Sequence, residues 1–234
     1  ETLDLIVRLT NKSIGIFSES ELSQNETEEI TLVFADGSKQ KQMTGPRIWE
    51  IYRGTHVAPD LLQSVHMALE KWLLDYVAQA SEKEAVAACL KLLKDSASAS
   101  ITSVVTSVVY SQPFKLREVA LVLFRTKKLF VYEKTRLLKD RAHKSSLESL
   151  RDMAPSRDFM QKLHQDERIN ACDLKQRAMD LENLAVYYQF FKTEEVSDKD
   201  SEQLVKTIWD IFDQYYSELP LEKSQNEHDK VWRL

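Results

Sequence analysis

Leu61-Leu62-Gln63-Ser64-Val65-His66-Met67-Ala68-Leu69-Glu70-Lys71-Trp72-Leu73-Leu74-Asp75-Tyr76-Val77 is the stretch on which the fold turns. Leu61, Leu62, Val65, Ala68, Leu69, Trp72, Leu73, Tyr76 and Val77 recur at three- and four-residue steps, which makes one broad apolar stripe along an α-helix. Pro59 suits the first turn of that helix, where its missing N–H leaves no bond unmade. Ser81-Glu82-Lys83-Glu84 then has the layout of a capping box opening a second helix, with Val86, Cys89, Leu90, Leu92 and Leu93 directed inward. Ser100 to Ser111 is rich in Val, Ile, Thr and Ser, which taken alone favours a strand. Its length and its helical neighbours outweigh a propensity difference of about a few tenths of a kcal/mol per residue, so the segment is predicted helical. Leu116 to Phe124 and a more basic helix from Lys128 to Arg141 follow. Four helices with short connections form two αα-hairpins in succession, and the predicted class is mainly α: a helical-repeat-like array, HEAT-like or an irregular α-solenoid.

The glycines support this. Gly15, Gly37, Gly45 and Gly54 are the only four, and none follows Gly54. Without them, tight positive-φ hairpins and phosphate-cradling loops are hard to build in the rest of the chain. The N-terminal part reads differently: Glu29 to Met43 places β-formers before Asp36-Gly37, a hairpin cue, and Leu5-Ile6-Val7-Arg8-Leu9 is expected to add a third strand. The expected organisation is a small β element over 1–44, a junction loop over 45–58, the first part of the helical array over 59–143, a polar connector with a short helix over 144–172, and a helical hairpin over 173–220. Residues 221–234 would begin a further, truncated element, since Val231-Trp232-Arg233-Leu234 turns apolar at the last positions.

The chain has 234 residues, 43% of them apolar and 29% charged, with a formal charge of −5, so no global positive field exists to hold a nucleic-acid backbone or an anionic membrane. Cys89 and Cys172 make no disulfide framework, and no apolar stretch reaches the roughly 18–20 residues of a bilayer span, which points to the cytosol. The opening Glu1-Thr2-Leu3-Asp4 has neither an initiator Met nor a signal-peptide layout, as expected of a chain processed or cut from a longer one. Neither phosphate-binding glycine motif is present, so no nucleotide cofactor is expected here. His56, His66, His143, His164 and His228 show no metal-ligand spacing with the cysteines, and no serine lies in a nucleophile elbow. Pro59-Asp60 could open a metal-dependent nuclease site, but the pair opens an amphipathic helix, where an Asp near the N-terminus simply suits the dipole.

Two clusters remain as candidate interaction surfaces. Gly45 to His56 concentrates Arg47, Trp49, Tyr52, Arg53 and His56, a composition that can hold an anion or a peptide, or can anchor the junction between sheet and first helix. The second is basic and includes Arg125, Lys127, Lys128, Lys134, Arg136, Lys139, Arg141, His143 and Lys144, interleaved with Phe130 and Tyr132. It could touch nucleic acid or an acidic partner, or be a solvated helix face. An enzyme site assembled from distant residues near Arg53 and His56 is the remaining alternative.

Several phrases carry a family resemblance: Gly45-Pro46-Arg47-Ile48-Trp49-Glu50-Ile51-Tyr52-Arg53-Gly54-Thr55-His56-Val57-Ala58-Pro59-Asp60, Ala68-Leu69-Glu70-Lys71-Trp72-Leu73-Leu74, the helix pair Ser100 to Arg141, and Ala185-Val186-Tyr187-Tyr188-Gln189-Phe190-Phe191. From about residue 30 onward the chain resembles a helical region of very large bacterial ATP-binding proteins of the STAND type. In those an effector, a P-loop ATPase and a helical array cooperate, many in defence against phage. The resemblance implies an internal segment that acts as a scaffold or sensor, binding a protein partner (other domains of a larger chain or a phage-derived ligand) or supporting oligomerisation. The ATPase motifs of the family have no matching positions in this sequence.

Overall fold

The computed structural model describes residues 1–19, 27–53, 60–153, 158–193 and 196–218. Two compact units divide it, Glu1–Leu184 and Ala185–Leu234. It is mostly helical, with one two-stranded sheet near the N-terminus. The predicted class stands in that form; a repeat-like stacking of the hairpins is not part of what the packing shows.

The first helix, α1 (Thr2–Glu19), occupies the ground where a strand was expected at Leu5–Leu9. The five-residue apolar run belongs to a longer helical period: Val7, Thr10 and Ile14 are its buried positions, and Asp4 suits the dipole in the first turn. The 1–44 segment is therefore a helix followed by a hairpin.

In that hairpin β1 (Glu28–Val33) pairs antiparallel with β2 (Lys39–Thr44), in register from Glu28 opposite Thr44 to Val33 opposite Lys39. Gly37 takes φ +78° in the turn, the left-handed conformation that the Asp-Gly pair predicts. Asp36 braces the turn by accepting from the Ser38 N–H at 2.9 Å. A two-stranded sheet is marginal alone. Here Ile30 and Leu32 are buried, and Met43 N–H donates to Ala97 O at 2.8 Å. The buried Gln42 amide donates to Leu93 O and Ser96 O and accepts from Thr102 Oγ1 at 2.6 Å, which leaves its carbonyl and NH₂ both satisfied.

The expected junction loop is instead two short buried turns, α2 (Pro46–Trp49) and a 3-10 turn at Ile51–Arg53. Residues 54–59 of that loop, His56 among them, lie outside the described residues. Beyond come α3 (Asp60–Gln79), α4 (Glu82–Asp95), α5 (Ala99–Ser111), α6 (Arg117–Phe124), α7 (Lys127–Met153) and α8 (Phe159–Cys172). The capping box forms at α4: Ser81 Oγ accepts from Glu84 N, and Glu84 Oε2 accepts from Ser81 N at 3.0 Å.

Helix α5 is the centre of the first unit, with α2, α3, α4, α6 and β2 packed against it. Every residue from Ala99 to Tyr110 is buried. Its strand-like composition is tolerated because small β-branched side chains let several elements approach one axis. The hydroxyls bond back along the helix, Ser103 to Ser100 O and Thr106 to Thr102 O, both at 2.8 Å.

Two expectations about the later segments are corrected. The polar connector expected over 144–172 has its short helix as α8 (Phe159–Cys172), but its first part is helical too, since α7 runs on to Met153. The sequence from Lys144 to Met153 has no breaker and only the thin apolar row of Leu147, Leu150 and Met153, so the helix propagates from its anchored first half. The first arm of the helical hairpin expected over 173–220 is broken into a 3-10 turn at Lys175–Ala178 and α9 (Leu181–Phe190). Asp180 restarts the chain as a cap, its Oδ1 accepting from Asn183 N at 2.8 Å.

In the second unit α10 (Asp198–Glu218) is capped by Ser197, whose Oγ accepts from Asp200 N at 3.2 Å. Ser201, Leu204, Ile208 and Ile211 are its buried positions. The expected element at 221–234 lies outside the described residues.

Candidate interaction surface and a buried charge network

Four of the residues expected at a surface are in the interior. Trp49, Tyr52 and Arg136 are each 1% exposed and Arg53 is 7% exposed. They belong to a network of three arginines, Arg53, Arg136 and Arg177, and three carboxylates, Glu70, Glu133 and Asp140, which balances its formal charge without solvent.

Helix α7 is the spine of the network. Leu129, Glu133, Arg136 and Asp140 follow one another at four-, three- and four-residue steps, so the inward face of the helix begins apolar and turns ionic. Glu133 accepts from Trp49 Nε1 at 2.8 Å, from the Tyr110 hydroxyl at 2.6 Å and from Arg136 Nη2 at 2.9 Å. Arg136 also donates to Asp140 at 2.9 Å, to Arg177 O at 3.1 Å and to Met179 O. Arg53 Nε reaches Asp140 Oδ1 at 2.8 Å, and its Nη2 lies 3.9 Å from Cys172 Sγ. Farther along, Arg177 donates to Glu70 of α3, which also accepts from Ser107 of α5, and the Arg177 guanidinium sits 5.0 Å from the centre of the Tyr52 ring.

The electrostatics follow from this arrangement. Burial is the largest influence and opposes the charge of Arg136, but Glu133 with Tyr52 and Tyr110 together outweigh it and hold the guanidinium protonated; at Arg53 burial is likewise overcome by Asp140 with Tyr52 and Glu70. Burial first, and then Glu133, push the Tyr110 phenol well above its ordinary range, so it remains a neutral donor. Such a network removes ionic groups from chemistry with solvent and welds α3, α5, α7 and both 3-10 turns together.

The basic stretch is also largely committed. Lys128 pairs with Glu28 at 3.0 Å, Lys134 with Glu182 at 2.6 Å, Lys139 with the buried Glu50 at 2.8 Å and Lys144 with Asp173 at 2.6 Å. Arg47 and Lys127 are partly exposed. The structure thus separates the candidate residues: Trp49, Tyr52, Arg53 and Arg136 come together in the core, while Arg47, Lys127 and Lys128 do not join them. Glu70, Glu133, Asp140 and Arg177 were missed in the sequence. For Glu133 and Asp140 the signal was charged residues at core spacing on α7, continuing the stripe of Leu129; for Glu70 it was a place in the apolar spacing of α3, and Arg177 had none. No group of three or more His, Cys, Asp or Glu residues able to hold a metal ion occurs among the described residues.

What faces outward is apolar in places. Helix α3 has two stripes. Leu62, His66, Leu69, Leu73 and Val77 are buried, while Leu61, Val65, Ala68, Trp72 and Tyr76 lie on an adjacent face. Leu61 is 67% exposed and Trp72 44% exposed, and Trp72 stacks on Tyr76 with ring centres 5.1 Å apart. Lys71 and Asp75, paired at 3.1 Å, border this outer stripe. Exposed aromatic and aliphatic groups in a row on a rigid helix are the features of a protein-binding face. Among the described residues no helix is long and apolar enough to cross a membrane.

No protein-family model matches the chain, and no curated protein sequence matches it significantly.

Proposed function

We propose that this chain is a non-catalytic helical scaffold or sensor module, a segment of a large cytoplasmic bacterial ATP-dependent defence protein, acting through protein–protein recognition or oligomerisation. The observation that carries the reading is the second apolar stripe of α3, with Leu61, Ala68 and Trp72 exposed and Val65 and Tyr76 partly buried beside them, on a helix whose other apolar face is already buried. The family resemblance supplies the larger protein, and the charge-balanced interior supports a structural use for the ionic residues.

The same helix suggests how binding is transmitted. A partner on the outer stripe bears on α3, whose Glu70 holds Arg177, whose backbone in turn holds Arg136. A shift of α3 is therefore felt at α7 and at the turn before α9, as expected when packed helices carry a signal by changing their contacts.

Trp72→Ser with Tyr76→Ser, introduced into the natural gene, tests the reading. Loss of protection against phage at unchanged protein abundance is the expected result; full protection would overturn it.

A further inference from the structure

We infer that the outer face of α10 is a docking site for a basic amphipathic helix of a partner protein. This goes beyond the function proposed above in naming a second face and the chemistry of its occupant.

Beside its buried positions α10 carries a further apolar row, Val205, Trp209, Phe212 and Tyr216, at steps of four, three and four residues. Trp209 is 52% exposed and Tyr216 51% exposed; Val205 and Phe212 are partly buried. This is the i, i+4, i+7, i+11 pattern by which one helix receives another.

Charge selects the occupant. Lys199 and Lys206 lie in the first half of α10, but from Thr207 to Glu218 the helix has Asp210, Asp213 and Glu218 and no basic residue. The last turn of a helix already carries the negative end of its dipole, where cations stabilise and carboxylates do not. Glu218 stands in that last turn, and Asp210 and Asp213, one to two turns earlier, edge the aromatic row, so this half of the helix carries a negative field that a cationic partner relieves. Lys or Arg on the polar face of an incoming helix meets Asp210 and Asp213 while its apolar face covers Trp209 and Tyr216. A second copy of the same face would set carboxylate against carboxylate, and an anionic membrane surface would be repelled.

The test is titration of the full chain with a synthetic amphipathic helix bearing Leu on one face and Lys on the other, read by anisotropy, beside a counterpart with Glu in place of Lys. The Lys peptide is expected to bind and the Glu peptide not. Trp209→Ser, and separately Asp210→Lys with Asp213→Lys, should each weaken binding about tenfold or more with helix content by circular dichroism retained. Glu118→Lys with Glu167→Lys, which reverses as much charge on other helices, should leave it unchanged. No binding, equal binding of both peptides, indifference to the α10 variants, or an equal loss in the control pair would overturn the inference. So would binding that emerges only on deletion of residues 219–234, which would make the chain's own terminus the occupant. The readout is independent of Trp72 and Tyr76, so this inference and the proposed function can fail separately.

Discussion

Arg136 has each of its three guanidinium nitrogens engaged by Glu133, Asp140 or the backbone carbonyls of Arg177 and Met179. A lysine has one nitrogen and cannot span that arrangement. Arg136→Leu leaves Glu133 buried without its cation and Asp140 with Arg53 alone, and should lower stability by about 3–5 kcal/mol; Arg136→Lys should recover little of it. Urea denaturation checks both. His66 behaves differently. It is enclosed at 0% exposure, with Nε2 3.3 Å from Thr10 Oγ1 and 3.5 Å from Ser100 Oγ, and burial lowers its pKa to about 4. Its folded-state pKa lies below its unfolded value of about 6.5, so the unfolded chain takes up the proton first as pH falls. The stability tied to a neutral His66 is complete above about pH 6.5 and is lost progressively down to about pH 4. Between pH 7 and 5 the expected loss is about 2 kcal/mol. His66→Gln should flatten that part of the profile in thermal melts, and an unchanged slope would contradict the assignment. The positions of these two residues were unequally legible. His66 falls on the inner stripe of α3 by spacing alone, but Arg136 sits among exposed lysines in the sequence, and only tertiary pairing shows that it turns inward.

At the scale of elements, local signals were reliable where they were complete. Ser81 and Glu84 satisfy both halves of the capping box, and the helix begins there; Ser81→Ala should cost about 1 kcal/mol, measurable as a lower urea midpoint at unchanged slope. Asp36-Gly37 likewise placed its turn. Incomplete signals misled. Leu5–Leu9 is too short a window to show whether a run of apolar residues has period two or 3.6, and Thr10, Ile14 and Phe17 beyond it settle the matter for a helix. The polar run after Lys144 has only Leu147, Leu150 and Met153 at three-residue steps, a weak period, yet a nucleated helix continues without a strong one. The break before α9 depends on Asp180, whose capping role is disguised by the apolar spacing on both sides of it.

For the whole molecule, the sequence indicated the mainly helical class and the small sheet. The candidate site was less legible: residues chosen for their chemistry, Trp49, Tyr52, Arg53 and Arg136, turned out to stitch the core. Aromatic and arginine residues serve interfaces and interiors by the same contacts, and spacing alone does not separate the two uses. The account holds that the ionic residues sustain the scaffold while outward apolar faces recognise protein. The most direct measurement is phage protection by the complete protein carrying Trp72→Ser and Tyr76→Ser, set beside the thermal midpoint of this chain with the same changes. Protection should be lost while the midpoint falls by no more than about 4 °C, the cost of one partly exposed aromatic stack. Intact protection with those changes, or its loss instead through Lys127→Glu with Lys128→Glu, would contradict it.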